Sequence, residues 1–312
     1  MYLAMDSRQK QILEYRSYPR GYYHLCTDGW HGGKLFNTQE QFALGMTTIA
    51  LLTLKFGVQI ISFELMPNHI HIILAGNGSD CLECFRFIMA RIRKRLKADG
   101  CPLPPEDYWF KLVPIEDKKS LKKHIVYLAR NKYEKGDCTP VGHIWGTGYL
   151  VYNQLSKYIC GVKVKDCSKH KVHSITESLI ELPADWEIHP DLGVLPKNFA
   201  RTDKILELFP SVKAYMTAMI KDYEAYVKLS ESLGESITWD IAEVRQIVSD
   251  KVMAEYRQTR IQNLTPDQKG RIAVLVFNEY GIDIGLIADA LYLPEHIVNQ
   301  FVNSKDYGKR KK

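Results

Sequence analysis

Two apolar, β-branched runs either side of Pro67-Asn68 constrain this 312-residue chain more than any other feature. Val58 to Met66 and His69 to Leu74 are of strand length and flank a turn signal, so they predict an antiparallel hairpin. In the second run His69 and His71 alternate with Ile70 and Ile72. Residues two apart on a strand share a face. His69 and His71 therefore project together from one side of the sheet, while the isoleucines enter a core on the other.

The flanking sequence supplies further strands and the helices that cover such a core. Gly21 to Thr27 reads as a first strand. From Thr38 to Phe56 apolar residues recur at helical spacing behind a capping-box pattern, Thr38 with Gln41, and Gly57 stops the helix. Leu82 to Leu96 predicts a second helix, Tyr108 to Ile115 a strand, and Asp117 to Lys135 a third helix. The first six elements follow the order of a split βαβ unit. The fold class expected is thus α+β: a ferredoxin-like antiparallel sheet with helices on one face, then a mostly helical C-terminal region with a helix-turn-helix-like end.

Three regions follow from this pattern: a domain over 1–140, a basic aromatic-rich connecting segment over 141–200, and a helical region over 201–312. In the last, 266–279, 284–291 and 294–303 read as short helices separated by Gly281 and by Leu293-Pro294, a helix-turn-helix layout.

Lys plus Arg outnumber Asp plus Glu by 42 to 36, a net charge of +6. That excess is mild, so nucleic-acid binding must rest on where the cations cluster. Met1 to Asp6 has no signal-peptide character, and no run approaches the ~20 apolar residues of a membrane span. Seven cysteines in a chain of this size do not form a disulfide framework, and the expected compartment is a reducing cytoplasm. Cys81-x-x-Cys84 reads as packing at a helix start rather than as half of a zinc site.

Two imidazoles on one strand face are natural divalent-metal ligands, or else a hydrogen-bonded surface pair. The third helix carries Tyr127-Leu-Ala-Arg-Asn131, whose first and last residues share a helix face. If that face covers the histidine side of the sheet, Asn131 can supply an oxygen ligand and Tyr127 can stand beside the metal. His24, on the first strand, can also approach.

The block Leu65-Met-Pro-Asn-His-Ile-His-Ile-Ile-Leu74, followed by a strand leading to Tyr127 and Asn131, resembles the REP-associated tyrosine transposases and the IS200-like single-tyrosine HUH transposases. The resemblance spans roughly residues 18 to 136. Where relatives often continue Asn-Pro-Val, this chain has Lys132-Tyr133, which leaves Tyr133 as a rival nucleophile. The resemblance implies a DNA transposase or single-strand endonuclease in which Tyr127 is the catalytic nucleophile. His69, His71 and Asn131 would hold the metal, Mg²⁺ or Mn²⁺. The substrate implied is single-stranded or hairpin DNA, cut and transferred through a 5′-phosphotyrosine, and the family also admits a homodimer. The alternatives are a DNA-binding regulator or a replication-initiator-like protein that keeps the HUH fold.

DNA contacts are expected from three places. Arg86, Arg91, Arg93, Lys94, Arg95 and Lys97 line the second helix, where the alternative is a solvated face. Tyr149, Tyr152 and Tyr158 interleave with lysines including Lys163 and Lys165, offering stacking beside charge, with packing as the alternative for each ring. In the C-terminal unit His296, Asn299 and Gln300 are candidate base-reading side chains.

Overall fold

A computed structural model of the chain describes residues 6–30, 33–134, 141–220, 239, 241–280 and 282–304, with the side chains of 131–134 and 220 outside the description. The chain separates into two compact units, Met1–Lys132 with Cys138–Glu235, and Tyr133–Asp137 with Ser236–Lys312. The boundary expected at 140 thus falls within the residues of the first unit, because the segment that follows shares its core: Trp145, Leu182, Ile188 and Phe199 belong to the same buried cluster as the sheet.

The first unit opens with α1 (Ser7–Ser17), capped by Asp6, and β1 (Gly21–Thr27). Then come α2 (Gln39–Phe56), β2 (Gln59–Leu65), β3 (Ile70–Gly76), α3 (Gly78–Ala98), β4 (Phe110–Ile115) and α4 (Lys118–Glu134). The four strands form one antiparallel sheet in the order β2-β3-β1-β4. This is an open sheet flanked by helices, with the crossovers that a β-α-β-β-α-β order demands.

Local chemistry explains the helix limits. Thr38 Oγ1 accepts from Gln41 N–H at 3.3 Å, and Gly57 closes α2 at φ +64°, where a side chain would be strained. Asn77 Oδ1 accepts from Asp80 N–H at 2.8 Å to open α3. One stripe of α3, including Leu82, Phe85, Ile88, Met89 and Ile92, is buried on the sheet. Each such side chain contributes roughly 1.5–3 kcal/mol of hydrophobic stabilisation. Cys81 and Cys84 lie in that stripe, and burial pushes the Cys81 thiol up to about 12.

Tyr23, Leu25, Ile70, Ile72 and Leu74 face α2 and α3. The opposite face, carrying His24, Cys26 and His71, is covered by α4, so helices lie on both sides of the sheet. The exposed edge of β2 is closed by later chain. Phe63 N–H donates to Thr147 Oγ1 at 2.8 Å, Leu65 N–H to Trp145 O at 3.1 Å, and Arg201 N–H to Ile60 O at 2.9 Å. Covering an edge strand in this way removes a template for unwanted pairing.

The segment expected as a connector builds α5 (Thr147–Tyr152), β5 (Val162–Lys163), α6 (Lys169–Thr176), β6 (Glu187–His189) and β7 (Gly193–Val194), the strands forming a small sheet in that order. Gly193, at φ +71°, sits so close to α2 that an added Cβ would meet Thr47 Oγ1 at 2.2 Å. Two helices follow, α7 (Thr202–Leu208) and α8 (Val212–Ile220).

In the second unit α9 (Ile241–Tyr256), α10 (Pro266–Tyr280), α11 (Ile284–Leu291) and α12 (Glu295–Asn303) match the three short helices expected, after a longer one. Val244, Val248 and Val252 form one face of α9 and pack with Ile272, Val276, Leu291 and Val298. Asp283 caps α11, its Oδ1 accepting from Gly285 N–H at 2.8 Å. Among the described residues, no helix is long and apolar enough to cross a membrane.

Candidate functional site

Strand register builds the site. Cys26 on β1 pairs with His71 on β3, His71 pairs with Glu64 on β2, and Cys26 pairs on its other side with Lys111 on β4. Paired residues share a face, so Glu64, His71, Cys26 and Lys111 form one row across the sheet. His24, two residues before Cys26, lies on the same face in the next row. His24 Nε2 is 3.1 Å from His71 Nδ1, and His24 Nδ1 is 2.9 Å from His124 Nδ1. Ligand atoms of His24, Cys26 and His71 all lie within 4.8 Å of one another, and all three residues are buried. Two imidazole nitrogens and a thiol at that separation can hold a metal ion.

His69 directly precedes β3. Its ring lies edge-on to His71 at 4.9 Å between centroids, and its Nδ1 is 2.8 Å from Asn68 Oδ1. The two histidines of the His-Ile-His block are thus side by side. Tyr127 reaches the same place from α4, with its ring 5.7 Å from His71 and 5.9 Å from His24. It is only 1% exposed, and His71 and His24 are completely buried. Asn131, its expected neighbour on the helix, has its side chain outside the described residues, as has Tyr133.

The electrostatics follow from that enclosure. Burial, then the neighbouring His71 and His124, hold the His24 imidazole well below its usual range. Burial alone pushes His124 down to about 4. Both rings are therefore neutral at pH 7, the form in which imidazole binds metals. Glu64 is buried with His143 Nε2 3.6 Å from its carboxylate, and His143 also hydrogen-bonds the Leu65 carbonyl at 2.8 Å. Gly146 lies against this carboxylate, and a Cβ there would meet Glu64 Oε2 at 2.0 Å.

Sequence reasoning placed His24 near the site but did not name Cys26, Glu64 or His124. The period of two along β1 puts His24 and Cys26 on one face, and His124 is one helical turn before Tyr127. Both signals are legible, but joining them to His71 requires the β1–β3 and β2–β3 registers.

The expected DNA-contacting residues are scattered by the structure. On α3, Arg91 is an internal tie. Its guanidinium donates to Thr48 Oγ1 at 2.9 Å, Thr176 O at 2.6 Å and Glu177 O at 3.1 Å. Arg95 pairs with Asp99 and Glu177, each at 2.8 Å, Arg86 pairs with Glu83, and Arg93 donates to Pro105 O. Lys94 and Lys97 are exposed. Tyr152 stacks on Tyr215 with centroids 4.5 Å apart and donates to Phe209 O at 2.6 Å. Tyr149 lines an apolar cleft with Met46, Trp145, Leu192 and Lys197. Tyr158 is 80% exposed, and Lys163 and Lys165 nearby in sequence are exposed too. In the second unit His296, Asn299 and Gln300 are exposed on α12.

No protein-family model matches the chain, and no curated protein matches it. A solved structure of a REP-associated tyrosine transposase bound to a REP hairpin is similar in part. The match has 19% identity and a TM-score of 0.31, and it covers 56% of this chain and 90% of the other.

Proposed function

We propose that the chain is a metal-dependent enzyme that cleaves and transfers single-stranded DNA, with Tyr127 as the nucleophile. The observation that carries this reading is the meeting of Tyr127 from α4 with His71 and His24 on one face of the sheet. The ferredoxin-like strand order supports it. His69, His71 and Asn131 are the proposed metal ligands. A bound divalent cation, Mg²⁺ or Mn²⁺, would polarise the scissile phosphate and offset its developing charge. The imidazoles fit such a group, and phosphate and Asn131 oxygens provide the harder donors those ions prefer.

In the proposed step the Tyr127 phenol oxygen attacks phosphorus as the P–O3′ bond breaks, and a proton goes to the departing 3′ oxygen. The products are a 5′-phosphotyrosine and a free 3′-hydroxyl. Attack by another 3′-hydroxyl reverses the step and joins strands without water. Tyr127 is buried, so the phosphate must gain access to it before this step. Lys94, Lys97, Lys163 and Lys165 are the cations proposed to track the DNA backbone, and Tyr158 the ring proposed to stack on a base. Exposed His296, Asn299 and Gln300 are proposed to contact DNA in the second unit.

The same burial favours a second reading, a DNA-binding regulator that keeps the fold and does not cleave. Labelled single-stranded hairpins incubated with Mn²⁺ or with EDTA and run on a denaturing gel separate the two. A covalently shifted band that needs the metal supports the enzyme; tight binding with no such band supports the regulator.

A further inference from the structure

Three imidazoles run in a line through this face: His71 on β3, His24 on β1 and His124 on α4. Their contacts are nitrogen to nitrogen, His71 Nδ1 to His24 Nε2 at 3.1 Å and His24 Nδ1 to His124 Nδ1 at 2.9 Å. Two ring nitrogens at such distances share one hydrogen. A neutral imidazole carries only one N–H, so the tautomers of the three rings are locked together.

Only two arrangements satisfy both contacts. In the first, His71 Nδ1–H donates to His24 Nε2 and His24 Nδ1–H donates to His124 Nδ1. His71 then keeps a lone pair on Nε2. In the second every donor is reversed: His124 Nδ1–H donates to His24, and His24 Nε2–H donates to His71 Nδ1. The proton of His71 then sits on Nε2, and its other lone pair is taken by His24. That arrangement leaves His71 no lone pair for a cation.

A cation held through His71 Nε2 therefore requires the first arrangement. A cation seated among His24 Nε2, His71 Nδ1 and Cys26 Sγ displaces the hydrogen between the two rings. It too requires His24 to keep its proton on Nδ1 and donate it to His124. Both ways of holding a metal converge on one acceptor.

We infer that His124 is a positioning residue of the metal-binding face: by accepting the Nδ1–H of His24 it fixes the tautomers that leave lone pairs for the cation. This rests on the reading that the face binds a metal. A metal-ligating histidine commonly has its second nitrogen held by such a partner. His124 also lies one turn before Tyr127, so their side chains share a helix face. The docking of α4 on the sheet thus delivers the nucleophile and readies the metal ligands in one event.

The test uses the full chain with Co²⁺ as the titrant, followed by absorbance and calorimetry, for wild type, His124→Phe and His124→Asn. Phenylalanine keeps a ring but has no acceptor, whereas the Asn Oδ1 takes the place of Nδ1. His124→Phe is expected to bind Co²⁺ about 10–100-fold more weakly, and His124→Asn to recover most of that loss. In the Zn²⁺-loaded wild type, ¹⁵N side-chain NMR is expected to find the His24 proton on Nδ1. The inference is overturned if folded His124→Phe keeps wild-type affinity, or if the His24 proton is on Nε2. The NMR result decides alone should His124→Phe not fold. A wild-type chain that binds neither ion overturns the metal reading itself and the inference with it; tight binding indifferent to His124→Phe overturns the inference only.

Discussion

Replacing Arg91 with alanine should destabilise the first unit rather than merely weaken DNA binding. The guanidinium is mostly buried and makes three hydrogen bonds, to Thr48 Oγ1 on α2 and to the carbonyls of Thr176 and Glu177 at the end of α6. It thus fastens α3 to two neighbours at once. Hydrogen bonds from a charged donor contribute about 1.5–3 kcal/mol each, and acceptors left bare in a buried place cost about 1–3 kcal/mol. These contributions overlap, since the vacated space admits water, so a loss of about 3–4 kcal/mol is expected. For a unit of this size that corresponds to a fall in Tm of roughly 6–15 °C. Arg91→Lys should recover only part of it, because an ammonium cannot span three acceptors held by a planar fork. Urea denaturation followed by the fluorescence of Trp30, Trp109, Trp145 and Trp186 measures the loss. A double-mutant cycle with Thr48→Val should give a coupling of about 0.5–3 kcal/mol. An Arg91→Ala protein within about 0.5 kcal/mol of wild type, the range of an ordinary surface substitution, would refute the assignment of this arginine to the fold.

Three further outcomes are expected. With metal chelated, stability should fall as pH drops from 6.5 to 4: unfolded His124 takes up a proton below its usual value of 6.5, whereas the folded form does so only near 4. The slope from His124 is about 1.4 kcal/mol per pH unit, about 3 kcal/mol in all. His24 acts in the same direction, and His124→Asn should flatten the slope in urea melts; a flat wild-type profile would contradict this. Changing Lys94, Lys97, Lys163 and Lys165 together to alanine should lower affinity for single-stranded DNA and make its salt dependence shallower by about 0.7 for each phosphate that is no longer neutralised, measured by fluorescence anisotropy at several salt concentrations. Gly270→Ala should destabilise the second unit by about 1–3 kcal/mol, since its Cβ would lie 2.6 Å from the Phe301 ring; a thermal melt unchanged from wild type would contradict that packing.

The elements most legible in the sequence are those whose signals are local. The Thr38 cap, the Gly57 stop and the alternation of His71 with Ile70 and Ile72 each act within a few residues, and the structure keeps all three. The helices after residue 265 were legible for the same reason, with Gly and Pro punctuation at their ends. Segment 141–200 was not, because its short strands and helices are held by distant partners, as when Val194 N–H donates to Thr47 Oγ1. The basic face of α3 misleads for a related reason. Composition cannot distinguish Lys94, which faces solvent, from Arg91, which is anchored by carbonyls far along the chain.

At the site, a strand period places His69 and His71 on one face and a helix period places Tyr127 on one side of its helix, but it was the resemblance to the transposases that singled the three out. Glu64, Cys26 and His124 enter only through strand register and the docking of α4, which no local pattern encodes.

The proposed function turns on one step, the covalent joining of Tyr127 to DNA in a reaction that needs a divalent cation. The most direct measurement is mass spectrometry of proteolysed protein after incubation with a single-stranded hairpin and Mn²⁺, followed by nuclease trimming. A nucleotide phosphate is expected on the peptide containing Tyr127, absent with EDTA and absent from His71→Ala. An adduct on Tyr133, or cleaved DNA with no adduct on any tyrosine, would contradict it.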